Sequence, residues 1–261
     1  MKTFRHHHII LLSMGVLLLF GSFTHKNLRL DARNNGELKI HFSAYSNQSP
    51  LIIGKTYSNS FQEKFTIDRF RFYVGGIRLF SGDAGAESGI SADDYFLFDL
   101  ADSASEEITI SSKAGTYNGI EFLFGVDSIH NTGGAQAGAL DPRRGMFWTW
   151  NSGYVILKLE GTSPLSNLPG HAIEYHVGGY RRPNNVSQIV SLAFQKGKEL
   201  KIESGMKNQV NVHVNVDKLF NGLTSIHINA TPSCNTPGPL AKMIADNCKQ
   251  MFSLDRSIET R

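Results

Sequence analysis

Apolar and polar residues alternate along much of the chain once residue 36 is passed. Leu38, Ile40, Phe42 and Ala44 are interleaved with Lys39, His41, Ser43 and Tyr45, the period-two pattern of a half-buried strand. Val210, Val212, Val214 and Val216 repeat it, with Asn211, His213 and Asn215 between them. Residues 64–74 (KFTIDRFRFYV) are aromatic and β-branched, with Phe70, Phe72 and Val74 on one face. Gly75-Gly76 then bends this run before it continues over 77–80. Similar stretches predict strands at 95–100, 107–111, 119–125, 154–159, 172–177, 186–194 and 199–203. Residues 81–94 and 132–138 read as polar surface loops.

Helical spacing is scarce until residues 239–252 (PLAKMIADNCKQMF), where Leu240, Met243, Ile244 and Met251 recur at helix-like intervals with Pro239 in the first turn. Roughly ten short strands, Gly-rich turns and one late helix predict an all-β fold. The expected architecture is a single-domain antiparallel β-sandwich with long loops and a short C-terminal helix. No internal repeat suggests a propeller or solenoid, and no linker divides the chain.

Residues 138–161 (GALDPRRGMFWTWNSGYVILKLEG) hold both tryptophans, Trp148 and Trp150. In an extended segment these point the same way, which predicts a packed aromatic layer or wall. The turn DPRRG (141–145) precedes them. At the amino terminus, Lys2 and Arg5 precede an uncharged apolar block at 9–20 (IILLSMGVLLLF). It is short for a membrane span and fits a secretory signal peptide over 1–25. A flexible leader, 26–36, and the folded domain, 37–261, would follow. The protein is then periplasmic or secreted, with no stable membrane insertion after cleavage.

Cleavage would remove His6, His7 and His8 and leave 24 basic against 23 acidic residues, a net charge of +1 in place of +3. That balance gives no basis for binding nucleic acid or anionic membranes. In an exported chain the cysteine pair, Cys234 and Cys248, is most simply a disulfide, contributing about 3 kcal/mol in the chain-entropy model.

No GxSxG, HExxH, GxGxxG or P-loop pattern is present, so the chain is not read as an enzyme and no catalytic residue is assigned. Asp127, Asp141 and Glu160 sit among glycines at strand ends, where carboxylates stabilise turns. After cleavage His41, His130, His171, His176, His213 and His227 remain. Imidazole suits copper and zinc, but spacing alone brings no two of these histidines together. The aromatic stretch, with Asp141 and Glu160, equally suits a non-catalytic module for a small organic ligand or glycan.

A set of motifs narrows this choice. GVDS…N at 125–131, GALDP…GMFWTWNSGY at 138–154, KLEG at 158–161, YHVGG at 175–179, FYV at 72–74 and IADN…MF at 244–252 together resemble the MbnP-like family of methanobactin-associated periplasmic copper-binding proteins. The resemblance spans about residues 38–255. It implies an exported β-sandwich that takes part in copper handling and binds copper, with Cu(I) favoured. It also implies a partner, a di-haem enzyme of the cytochrome c peroxidase type, which converts a tryptophan to kynurenine. The ring-opened product would join two histidine nitrogens at the metal. The positions matching the family's ligands are His41 and His176, with Trp148 or Trp150 as the modified residue and His130 as the fallback ligand.

Overall fold

The computed structural model describes residues 35–81, 88–89, 94–150, 153–255 and 259–260. The expected signal peptide and most of the leader lie outside the described residues. The first strand starts at Asn35, two residues before the expected start of the folded domain, with Asn35 and Gly36 already paired in it.

Ten strands and three helices are sufficient to place the site. The strands are β1 (Asn35–Ser46), β2 (Arg69–Phe80), β3 (Tyr95–Asp99), β4 (Glu107–Lys113), β5 (Gly119–Phe124), β6 (Gly153–Thr162), β7 (Ala172–Gly178), β8 (Gln188–Ala193), β9 (Lys207–Asn215) and β10 (Phe252–Leu254). The helices are α1 (Ser128–Thr132), α2 (Asp217–Phe220) and α3 (Pro239–Cys248). The first sheet has β1 at its centre, antiparallel to β4 and parallel to β9, which pairs with β10. In the second sheet β2 is the spine. It pairs with β6 over residues 69–72, with β5 over 74–80 and with β3 over 71–75. β8 extends β5, and β7 extends β6.

The expected all-β sandwich is observed. The parallel β1–β9 pair is a long-range feature that alternation within either strand cannot specify. Phe42 and Phe252 from the first sheet interleave with Phe72, Phe122 and Phe124 from the second. Ring centroids lie 5.2–6.2 Å apart among these pairs, a spacing that suits offset and edge-on aromatic contacts. Phe98 stacks on Phe72 at 4.5 Å.

A second, smaller apolar cluster lies outside this core. Tyr73, Val126, Leu140, Met146, Trp148, Tyr154 and Val155 form it, where the segment between β5 and β6 folds back over the second sheet. Tyr73 and Tyr154 donate their hydroxyls to the carbonyls of Ala139 and Leu140, at 3.1 and 2.9 Å. This cap gives the sheet a partly dry outer face, which an ordinary solvated sheet would lack.

Two elements differ from the sequence reading. Helix α1 occupies part of a segment read without helix. It is short and lacks an apolar stripe, but Asp127 caps it by accepting from the His130 backbone N–H. The late helix stops at Cys248, a 3₁₀ turn follows, and Phe252 already belongs to β10.

The expected disulfide is a further correction. Cys234 and Cys248 are both free, buried thiols. Cys234 lies in the short strand Ser233–Cys234 beside β7, and Cys248 closes α3. Burial pushes the Cys234 thiol up to about 11 and raises that of Cys248 as well.

Candidate metal centre

The outer face of the second sheet brings most of the implicated residues onto one surface. Register places Arg71 of β2, Lys158 of β6 and His176 of β7 side by side across three strands. The next row holds Arg69, Glu160 and Glu174. In β7 the inward positions are Ile173, Tyr175 and Val177, so period-two alternation turns His176 outward. Its Nε2 lies 2.7 Å from Glu160 Oε1, and the other oxygen of Glu160 accepts from Arg69. The Glu160 carboxyl is held below its ordinary range. The His176 hydrogen bond acts most strongly, and the Arg69 and Lys158 charges add to it, outweighing the opposite effect of burial.

The basic residues of this face have structural tasks. Lys158 donates to the Gly145 carbonyl at 2.6 Å, and Arg71 to the Arg144 carbonyl at 2.9 Å. Together they pin the DPRRG turn over the sheet. Arg71 also pairs with Asp99 at 2.8 Å. Burial lowers the Lys158 ammonium's pKa, and Arg69 and Arg71 reinforce that shift against Glu160. Asp141 caps the turn through the Arg143 backbone and bonds the Arg143 side chain, which holds its carboxyl down to about 2. Asp141 and Glu160, the carboxylates considered for glycan binding, are thus both engaged within the protein.

Trp148 lies over the same strand as His176. A Cβ built on Gly178, two residues beyond His176, would come within 2.5 Å of the Trp148 ring, so glycine is what lets the indole settle on β7. Trp148 is 8% exposed and Trp150 61%, with their rings tilted at 5.2 Å. The expected aromatic layer is therefore divided, one ring being packed and the other open. Only Phe147–Trp148 is extended, and the chain turns at Thr149.

His130 belongs to the cap that covers this face. Its Nδ1 is 2.8 Å from Asp127 Oδ2, which also accepts from the Tyr95 hydroxyl at 2.7 Å. Burial would raise the Asp127 carboxyl, but hydrogen bonds from the His130 backbone, Tyr95 and the His130 ring together lower it. Asn131 anchors the cap. Its amide donates to the Val126 and Asp127 carbonyls and accepts from the Tyr154 N–H.

His41 is elsewhere. Leu38, Ile40 and Phe42 enter the same core as Ile173, Tyr175 and Val177, so His41 and His176 leave their strands on opposite outer faces of the sandwich. The structure does not bring this pair together. His41 instead stands between Glu107 of β4 and Asn211 of β9, and its Nδ1 is buried without a hydrogen-bond partner among the described residues. No group of three or more His, Cys, Asp or Glu side chains among the described residues is placed to hold a metal ion. What does fit an imidazole-bound metal is the carboxylate-backed His176 beside an indole. Sequence reasoning named Glu160 but did not pair it with His176. The one available signal was parity, since His41 alternates with core residues of β1 just as His176 does in β7.

Fold and site together define a β-sandwich whose second sheet carries a capped outer face with an imidazole–carboxylate pair and two adjacent indoles tilted against each other. The chain belongs to the MbnP family, whose model matches residues 35–236. Among solved structures it is similar to MbnP from Methylosinus trichosporium, with a TM-score of 0.56 and 14% identity over 87% of this chain and 99% of that one. At that identity the likeness shows the fold. No curated protein shows significant similarity to the chain.

Proposed function

We propose that this is an exported copper-binding protein that takes part in copper handling and does not itself catalyse a reaction. Copper, as Cu(I), is held on the outer face of the second sheet, with His176 supplying an imidazole nitrogen. The observation that carries this reading is the seating of Trp148 on Gly178, on the same strand and face as His176. Opening of the Trp148 indole to kynurenine gives an aryl amine beside that strand, and nitrogen donors of this kind suit a soft ion at low coordination number. His130, in the cap over the same face, is the second candidate imidazole, in place of His41. The oxidising partner is a di-haem enzyme of the cytochrome c peroxidase type. It docks beside Trp148, where Trp150, 61% exposed, breaks the polar surface.

Export fits the apolar block at 9–20. No helix among the described residues is long and apolar enough to cross a membrane.

Protein isolated from its native host is expected to carry stoichiometric copper, and its Trp148 to show the mass change from tryptophan to kynurenine in fragment spectra. Copper without the mass change would remove the di-haem partner from the account. Neither signal would reject the reading in favour of a small-ligand or glycan module.

A further inference from the structure

We infer that Glu160, fixed by Arg69, is a positioning residue that decides which nitrogen His176 presents. The inference rests on the copper reading only for its consequence. The geometry itself belongs to the metal-free protein. A neutral imidazole has one N–H and one electron pair, and the nitrogen that meets a carboxylate must be the one that carries hydrogen. Glu160 Oε1 lies 2.7 Å from Nε2, so Nε2 donates and Nδ1 keeps its electron pair. Nδ1 has no hydrogen-bond partner among the described residues, and the side chain keeps 19% of its surface exposed.

Glu160 cannot easily turn away from this task. Arg69, directly opposite in β2, engages its other oxygen, and Lys158 Nζ stands 3.9 Å from Oε1. Glu174, the neighbour of Glu160 in β7, is occupied in accepting from Asn235 at 3.0 Å. The chain Arg69–Glu160–His176 thus fixes both the tautomer and the plane of the ring. Carboxylates placed in this way behind metal-bound histidines typically govern affinity by 10–100-fold. For His41 the buried Nδ1 lacks a hydrogen-bond partner among the described residues.

The test uses ¹⁵N NMR of the metal-free protein, followed by Cu(I) competition titration. Wild type is expected to show an exchange-protected Nε2–H on His176 and an unprotonated Nδ1. Glu160→Ala should lose that protected proton, and Glu160→Gln, whose amide oxygen still accepts, should recover it in part. Circular dichroism should be the same for all three. Cu(I) affinity should fall about 10–100-fold in Glu160→Ala and less in Glu160→Gln. A wild-type ring protonated on Nδ1, or a protected Nε2–H that survives Glu160→Ala, would overturn the positioning role. Equal Cu(I) affinity in wild type and Glu160→Ala would overturn it too. If the NMR behaves as expected but no variant binds Cu(I), the copper reading fails and the positioning stands.

Discussion

Gly161→Ala is expected to destabilise the protein by about 3 kcal/mol, the upper end of what overpacking usually costs. A Cβ at Gly161 would lie 2.0 Å from the Thr66 carbonyl oxygen, 2.8 Å from its carbon and 3.0 Å from Ile67 Cα. All three are backbone atoms, so no side chain can rotate out of the way. The segment crossing there is also tied down on both sides. Thr66 and Thr162 share a hydroxyl contact at 2.8 Å, and the Asp68 N–H donates to the Glu160 carbonyl at 2.8 Å. Accommodating one methyl group must therefore part β6 from the short strand Lys64–Thr66 that precedes β2 in the chain and disturb the Arg69–Glu160 contact as well. Urea denaturation of wild type and variant measures this directly. A loss below about 1 kcal/mol, ordinary for a surface substitution, would show that the crossing is looser than described.

Asn131→Leu comes next in size. Asn131 is 2% exposed, and its side chain makes three hydrogen bonds at 2.8–2.9 Å, one of them accepting from the Tyr154 N–H at the start of β6. Leucine fills similar space but leaves that N–H without its partner. A buried polar group so abandoned costs about 1–3 kcal/mol, and the cap loses its tie to the sheet at the same time. We expect a loss of about 3 kcal/mol in total, with a red-shifted tryptophan emission as the cover over Trp148 loosens. Unchanged emission together with unchanged stability would mean that α1 is held by other contacts.

Much of the fold was legible along the chain because strand alternation is a local signal. Leu38, Ile40 and Phe42 announced both the strand and its buried face, and Gly75-Gly76 marked a real irregularity in β2, where the register with β5 shifts. The site was less legible, because it is built across strands. Arg69, Glu160 and His176 are far apart in sequence and meet only through the register of β2, β6 and β7. The family motif supplied His176 and the tryptophans but not the face on which each histidine stands. Parity would have turned His41 outward, yet only the pairing of sheets shows that outward from β1 and outward from β7 are opposite directions. Helix α1 escaped notice because five residues, SIHNT, carry no apolar stripe; its signal was the Asp127 cap. The cysteines illustrate a different limit. Their even number and an expected export point to pairing, but neither signal carries the packing in which the two thiols are found, buried and free.

The most direct measurement is a Cu(I) competition titration of His176→Ala and His41→Ala beside the protein isolated from its native host. The account predicts that His176→Ala loses stoichiometric Cu(I) binding while its circular dichroism is unchanged, and that His41→Ala binds as the parent does. Loss of binding in His41→Ala with retention in His176→Ala would contradict the placement of the metal on the tryptophan face.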